Sequence, residues 1–101
     1  MSHSIAHALA EKAINALLDE QMKASEFQGR AIYSKSATAR EEALAQITVC
    51  AQRCTELWRA AGFFIVPPLA DAVPELDKVR GAYRSVMYRI GGHMAGVRNH
   101  P

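Results

Sequence analysis

The sequence predicts an all-α protein, a small bundle of three main helices, on three observations. Apolar residues recur at helical spacing in three separate stretches, one stretch opens on a capping signal, and only one short run reads as a strand, with nothing to pair with. A chain of 101 residues fits one domain with a thin core, because folding at this size hides roughly 60 to 70% of the unfolded chain's surface. Half of the residues are hydrophobic, and many of these are alanine. Alanine favours helices but buries little area per residue, so self-association is expected as well, as a dimer through the wide apolar face of the first helix or the seam of the third.

The first helix is expected near residues 4–24. Ile5, Leu9, Ala13, Ala16 and Leu17 share one side, with Glu11, Asn15 and Asp19 opposite, and Ser2 or Ser4 can cap the start. Ile14 and Leu18 widen the apolar arc beyond what one neighbouring helix covers. Asp19 and Lys23 form an i,i+4 pair that supports the helix by a few tenths of a kcal/mol, roughly. From Ser25 to Ala37 the periodicity fades, and Gly29 with Ser34, Lys35 and Ser36 suits a loop. Within it, Phe27, Ile32 and Tyr33 read as a lid on the bundle's end, or Arg30 and Tyr33 as residues that reach a ligand.

The second helix, near 38–61, opens on Thr38 followed three residues later by Glu41, a capping box. Leu44, Ile47, Cys50, Ala51, Cys54, Leu57, Trp58 and Ala61 occupy one half of its wheel, the inward half, so Trp58 is expected in the core. Gly62 ends it, and Phe63 to Val66 with Pro67 and Pro68 form an extended connector. The third helix is expected near 74–90, with Asp71 available as a cap, Pro74 in the first turn, and Glu75 and Asp77 at the positive end of its dipole. Leu76, Val79, Tyr83, Val86 and Ile90 form a seam of coiled-coil spacing. Gly91 and Gly92 are expected to break the helix and leave a basic tail over 91–101.

Charge singles out this last quarter. The chain is formally +2, but from Lys78 to Pro101 there are five cations and no acid, interleaved with Tyr83, Tyr88, His93 and His100. Arg80, Arg84 and Tyr88, spaced i, i+4, i+8, line one ridge, and with Lys78, Arg89 and Arg98 they form the candidate binding surface; Arg30 and Tyr33 are secondary. Arginine offers a permanently charged fork for phosphate or carboxylate, and tyrosine a face for stacking. Such a ridge suits an acidic patch on a protein, the phosphates of a nucleic acid or nucleotide, or merely a solvated face.

Other constellations lead away from chemistry. His3, His7 and Glu11 make an i, i+4, i+8 row on one helix, at most an open, partial metal site, so surface histidines are expected. Cys50 and Cys54, the only cysteines, lie on the apolar face and read as reduced core residues without a nucleophile's surroundings. The adjacent carboxylates Asp19 and Glu20, and Glu41 and Glu42, read as solvated. No phosphate loop precedes a helix, and no zinc-finger or helix-turn-helix spacing occurs. With no stretch of about 18 apolar residues and no signal peptide, the expectation is a cytoplasmic protein away from membranes. The sequence therefore describes a non-enzymatic helical binding module without cofactor or metal, a homo-oligomeric regulator, adaptor or inhibitor of a protein partner. The alternative is a nucleic-acid or nucleotide binder that uses the arginine and tyrosine ridge.

Overall fold

The computed structural model describes residues 5–34, 36–65 and 72–99, with Phe64 and Ala72 described by their backbone alone. Three helices, α1 (Ile5–Ser34), α2 (Ala37–Phe64) and α3 (Ala72–Arg98), each pack against the other two, and no strand occurs among the described residues. The result is a three-helix bundle shaped as a rod of 53 × 19 × 15 Å.

Its contacts fix the topology. His7 meets Glu75, Gln21 meets Arg89 and Gln28 lies against Gly96, so α1 and α3 run parallel, with residues 68 apart in sequence standing level. Glu20 faces Arg53, and Tyr83 meets Thr55, so α2 runs antiparallel to both.

All three helices outrun the lengths expected from sequence, for one physical reason. A glycine inside a helix costs about 1 kcal/mol relative to alanine, which a continuing apolar seam outweighs. Beyond Ala24, α1 continues through Gly29, so residues 25–34 are helix rather than loop, because Phe27 packs on the core and Ala31 is buried at the same three-and-four spacing. In α2, Gly62 is passed and the helix reaches Phe64; Ile65, whose N–H donates to Ala61 O at 2.8 Å, is buried at the cap. The helix α3 runs through Gly91 and Gly92 to Arg98, since His93, Met94 and the buried Val97 extend the seam; most of the expected basic tail is helix.

The cap of α2 also differs from expectation. Ser36, extended at φ −97° and ψ 135°, accepts from Ala39 N, which places Thr38 inside the first turn. At the other junction α3 begins at Ala72, with Pro74 and Glu75 in its first turn, where a missing N–H costs no hydrogen bond. The extended connector from Val66 through Pro68 and the cap at Asp71 lie outside the described residues, as do His3, Lys35 and His100.

The core is small-residue packing tightened by a few branched side chains. Ala6, Ala10, Leu17, Ala24 and Ala31 of α1 meet Ile47, Cys50 and Cys54 of α2 and Val79, Val86, Ile90 and Val97 of α3, all buried. The α3 seam is thus consumed within the chain and is not free to pair with a second copy. Trp58 departs from the expected core position: it is half-buried at the α2–α3 edge, stacked on Tyr83 with centroids 5.8 Å apart and an interplanar angle of 14°. Tyr83 keeps its hydroxyl satisfied through Thr55 Oγ1 at 3.0 Å.

Candidate functional site

The helix α3 carries five cations against two acids, while α2 has three of each and α1 three against four, so the surplus positive charge rests on one helix. Along α3 it is unevenly opposed. Glu75 takes Lys78 at 3.1 Å and Asp77 takes Arg80 Nη1 at 2.8 Å, both through i,i+3 pairs. Arg80 is held further by the face of Trp58, 5.6 Å from its Cζ. Two of the six ridge candidates, Lys78 and Arg80, are therefore tied to the first turns of their own helix.

Past Arg80 no acid follows on α3. Arg84, Tyr88, Arg89 and Arg98 are all exposed; Arg89 Nη1 donates to Gln21 Oε1 at 3.4 Å, a bond that holds the guanidinium at the α1–α3 edge. At 100° per residue Arg84 and Arg98 flank one side of an exposed row of Gly81, Ser85, Tyr88, Gly92 and Ala95, and Arg89 flanks the other. Tyr88, 85% exposed, is the large side chain standing on this row. A Cβ at Gly81, Gly91 or Gly92 would meet nothing within 4 Å, so internal packing gives no reason for these glycines.

The secondary candidates lie elsewhere. Arg30 sits over the Phe27 ring at 5.5 Å and lines a cavity of about 500 Å³ between α1 and α2, with Glu42 and Gln46 on its opposite wall. Tyr33 is exposed and does not line that cavity.

Polar groups inside the bundle were missed in sequence. Glu20, read as solvated, is buried: it stands between Leu17 and Ala24 at core spacing, a pattern that would have revealed it. Its Oε2 accepts from Lys23 Nζ at 3.2 Å, replacing the expected Asp19–Lys23 pair, while Arg53 Nη1 approaches Oε1 to 3.8 Å. The thiols lie beside it. Burial, and then Glu20, push Cys50 up and Cys54 up to about 11, which keeps both protonated at neutral pH. At the corresponding core position of α3, His93 Nδ1 and Gln28 Oε1 are 2.6 Å apart, and burial lowers the imidazole below its ordinary value. Gly96 makes room for that bond: a Cβ there would overlap the Gln28 amide.

His7 faces Glu11 at 3.8 Å and Glu75 at 3.5 Å, and among the described residues no group of three or more histidines, cysteines or carboxylates is placed to hold a metal ion. No described helix is long and apolar enough to cross a membrane. No protein-family model matches the chain, and no curated protein or solved structure matches it significantly.

Proposed function

We propose that this protein is a non-enzymatic binding module that engages an acidic surface of a macromolecular partner, acting as a regulator, adaptor or inhibitor. The observation that carries this reading is the positive face of α3 beyond Arg80, formed by Arg84, Arg89 and Arg98 around Tyr88; none of the three arginines meets an acid in an ion pair among the described residues. Charges at the rim of an interface govern association rate and partner choice, and they act most strongly where no internal acid competes for them. The protonated, buried thiols support a role without covalent chemistry.

Nucleic acid is the second reading, because Tyr88 offers an exposed ring beside arginines, the pairing that single-stranded binders use. Binding of labelled polyglutamate and of oligothymidylate, each titrated with salt, tests the proposal. The triple variant Arg84→Glu, Arg89→Glu, Arg98→Glu should lose the preferred probe while melting at the wild-type temperature; equal binding by both proteins would end the proposal. Should oligothymidylate be preferred, Tyr88→Ala should weaken it by about 1 to 3 kcal/mol.

Self-association belongs to the same proposal. With the α3 seam consumed, it rests on Ile5, Phe63 and Val73, exposed apolar side chains at the end of the rod where α1 and α3 begin. Sedimentation equilibrium at tens of micromolar should show a dimer, and Phe63→Ser a monomer. A wild-type monomer would remove this part alone.

A further inference from the structure

We infer that the element docking on this face is an acidic amphipathic α-helix of a partner protein, laid along α3 as a fourth helix of the bundle. The inference rests on the binding reading above and narrows it to one occupant. Charge selects the sign: Arg84 and Arg98 on one flank and Arg89 on the other leave α3 without an acid from residue 81 to residue 99, so a complementary surface carries carboxylates on two parallel lines about one helix diameter apart. The central row between those lines recurs at steps of four and three, the spacing that a second helix requires for side chains to interdigitate.

Apolar side chains on α1 favour a helix over a phosphate backbone. Leu18 is 39% and Met22 60% exposed, and the parallel register puts them level with residues 86 and 90 of α3, beside the Arg89–Gln21 bond. Phosphates gain nothing from an aliphatic neighbour, whereas an amphipathic helix buries its own apolar stripe there and points its acids at the arginines. The open glycines of the row fit the same occupant. Gly81 and Gly92 cost the isolated helix stability and fill no internal need, but they let another backbone approach.

Three labelled probes decide the matter when titrated into the full chain: a 21-residue peptide with a leucine stripe flanked by glutamates, a scrambled peptide of the same composition without the stripe, and oligothymidylate. The striped peptide should bind about tenfold or more tighter than either of the others, a difference of about 1.4 kcal/mol, and gain helical circular dichroism on binding. Arg84→Glu with Arg89→Glu should weaken it by at least about tenfold. Gly92→Gln, whose Cβ enters open space in the free protein, should weaken the striped peptide but leave the scrambled one unchanged.

Equal affinity for striped and scrambled peptides would overturn the helix and leave charge-based binding standing. Preference for oligothymidylate would overturn it in favour of nucleic acid. Self-association that competes with the striped peptide and vanishes in the double arginine variant would make a second copy the occupant, and so overturn it too. Failure of all three probes to bind would remove the binding reading together with the inference.

Discussion

The two faces of α3 share one backbone and answer to different demands. On the inner face each residue has an internal reason. Val79, Val86, Ile90 and Val97 are buried in the seam; His93 is bonded to Gln28; and Gly96 is the residue that lets Gln28 reach it. The outer face has glycines with open space around them and arginines past Arg80 that no acid of α3 opposes. A helix built only to hold this bundle together would carry better helix formers there and a balance of charge. The difference teaches that the inner face is determined by folding, whereas the fold places no such requirement on the outer composition. Substitutions on the two faces should therefore separate stability from binding.

The largest separation should come from truncation. Ile90→Ala leaves a cavity at a fully buried position and should cost about 2 to 5 kcal/mol, a large part of the roughly 5 to 15 kcal/mol holding a domain together. Gly96→Ala should follow with a smaller net loss, because the new methyl pushes the flexible Gln28 amide off its bond to His93, at about 1 to 3 kcal/mol, while alanine returns about 0.5 to 1 kcal/mol as the better helix former. The same change at Gly81, where a Cβ meets nothing, should not destabilise at all. Urea unfolding of the three variants measures the contrast; comparable losses at Gly81 and Gly96 would erase it.

Mild acid, above the range where carboxylates titrate, should act on the inner face only. Arginine does not titrate in this range, so the outer face keeps its charge. His93 is held neutral by burial, with its other ring nitrogen, Nε2, buried and unbonded; Gln28 on α1 is uncharged, and Arg89, one turn earlier on α3, is a cation. Above its ordinary value of 6.5 the imidazole is neutral in both the folded and the unfolded chain, and stability is complete with respect to it. Below that value the unfolded chain takes up the proton first, so stability falls with pH until the lowered folded value is passed. His93→Gln should flatten this decline below pH 6.5, above the range where ordinary carboxylates titrate. A wild-type and variant pair with parallel pH profiles would show that His93 is not held in the neutral form.

The inner face was largely legible in sequence and the outer face only in part. The seam from Leu76 to Ile90, the inward cysteines and the three amphipathic periods follow from spacing alone. Helix ends did not, because Gly29, Gly62, Gly91 and Gly92 each look like a stop locally and are overridden by packing that becomes visible only once the seam is followed past them. Glu20 escaped notice because an Asp-Glu pair reads as solvated unless its register between Leu17 and Ala24 is checked. Among the candidate residues, the charges were plain but their neutralisation was not. Glu75 with Lys78 and Asp77 with Arg80 stand three apart, a spacing that already announced which cations would be occupied. The wheel position of Trp58 reads as central, whereas the ring lies at the α2–α3 edge, stacked on Tyr83 with Arg80 over its face.

The smallest expected change in stability has the opposite sign and gives the sharpest test of the outer face. Replacing Gly91 and Gly92 by alanine removes backbone freedom from the unfolded chain and adds a favourable helix former to the folded one, while the new methyls enter open space. Each change should stabilise the bundle by about 0.5 to 1 kcal/mol, read as a rise in the urea midpoint at constant slope. Destabilisation would mean that something within the chain does pack there. If the midpoint rises and binding of the striped acidic peptide weakens in the same protein, the glycines hold down the stability of the free bundle and favour the complex. A rise in the midpoint without any loss of affinity would leave the arginines as the whole of the recognition surface and make the open glycines incidental to it.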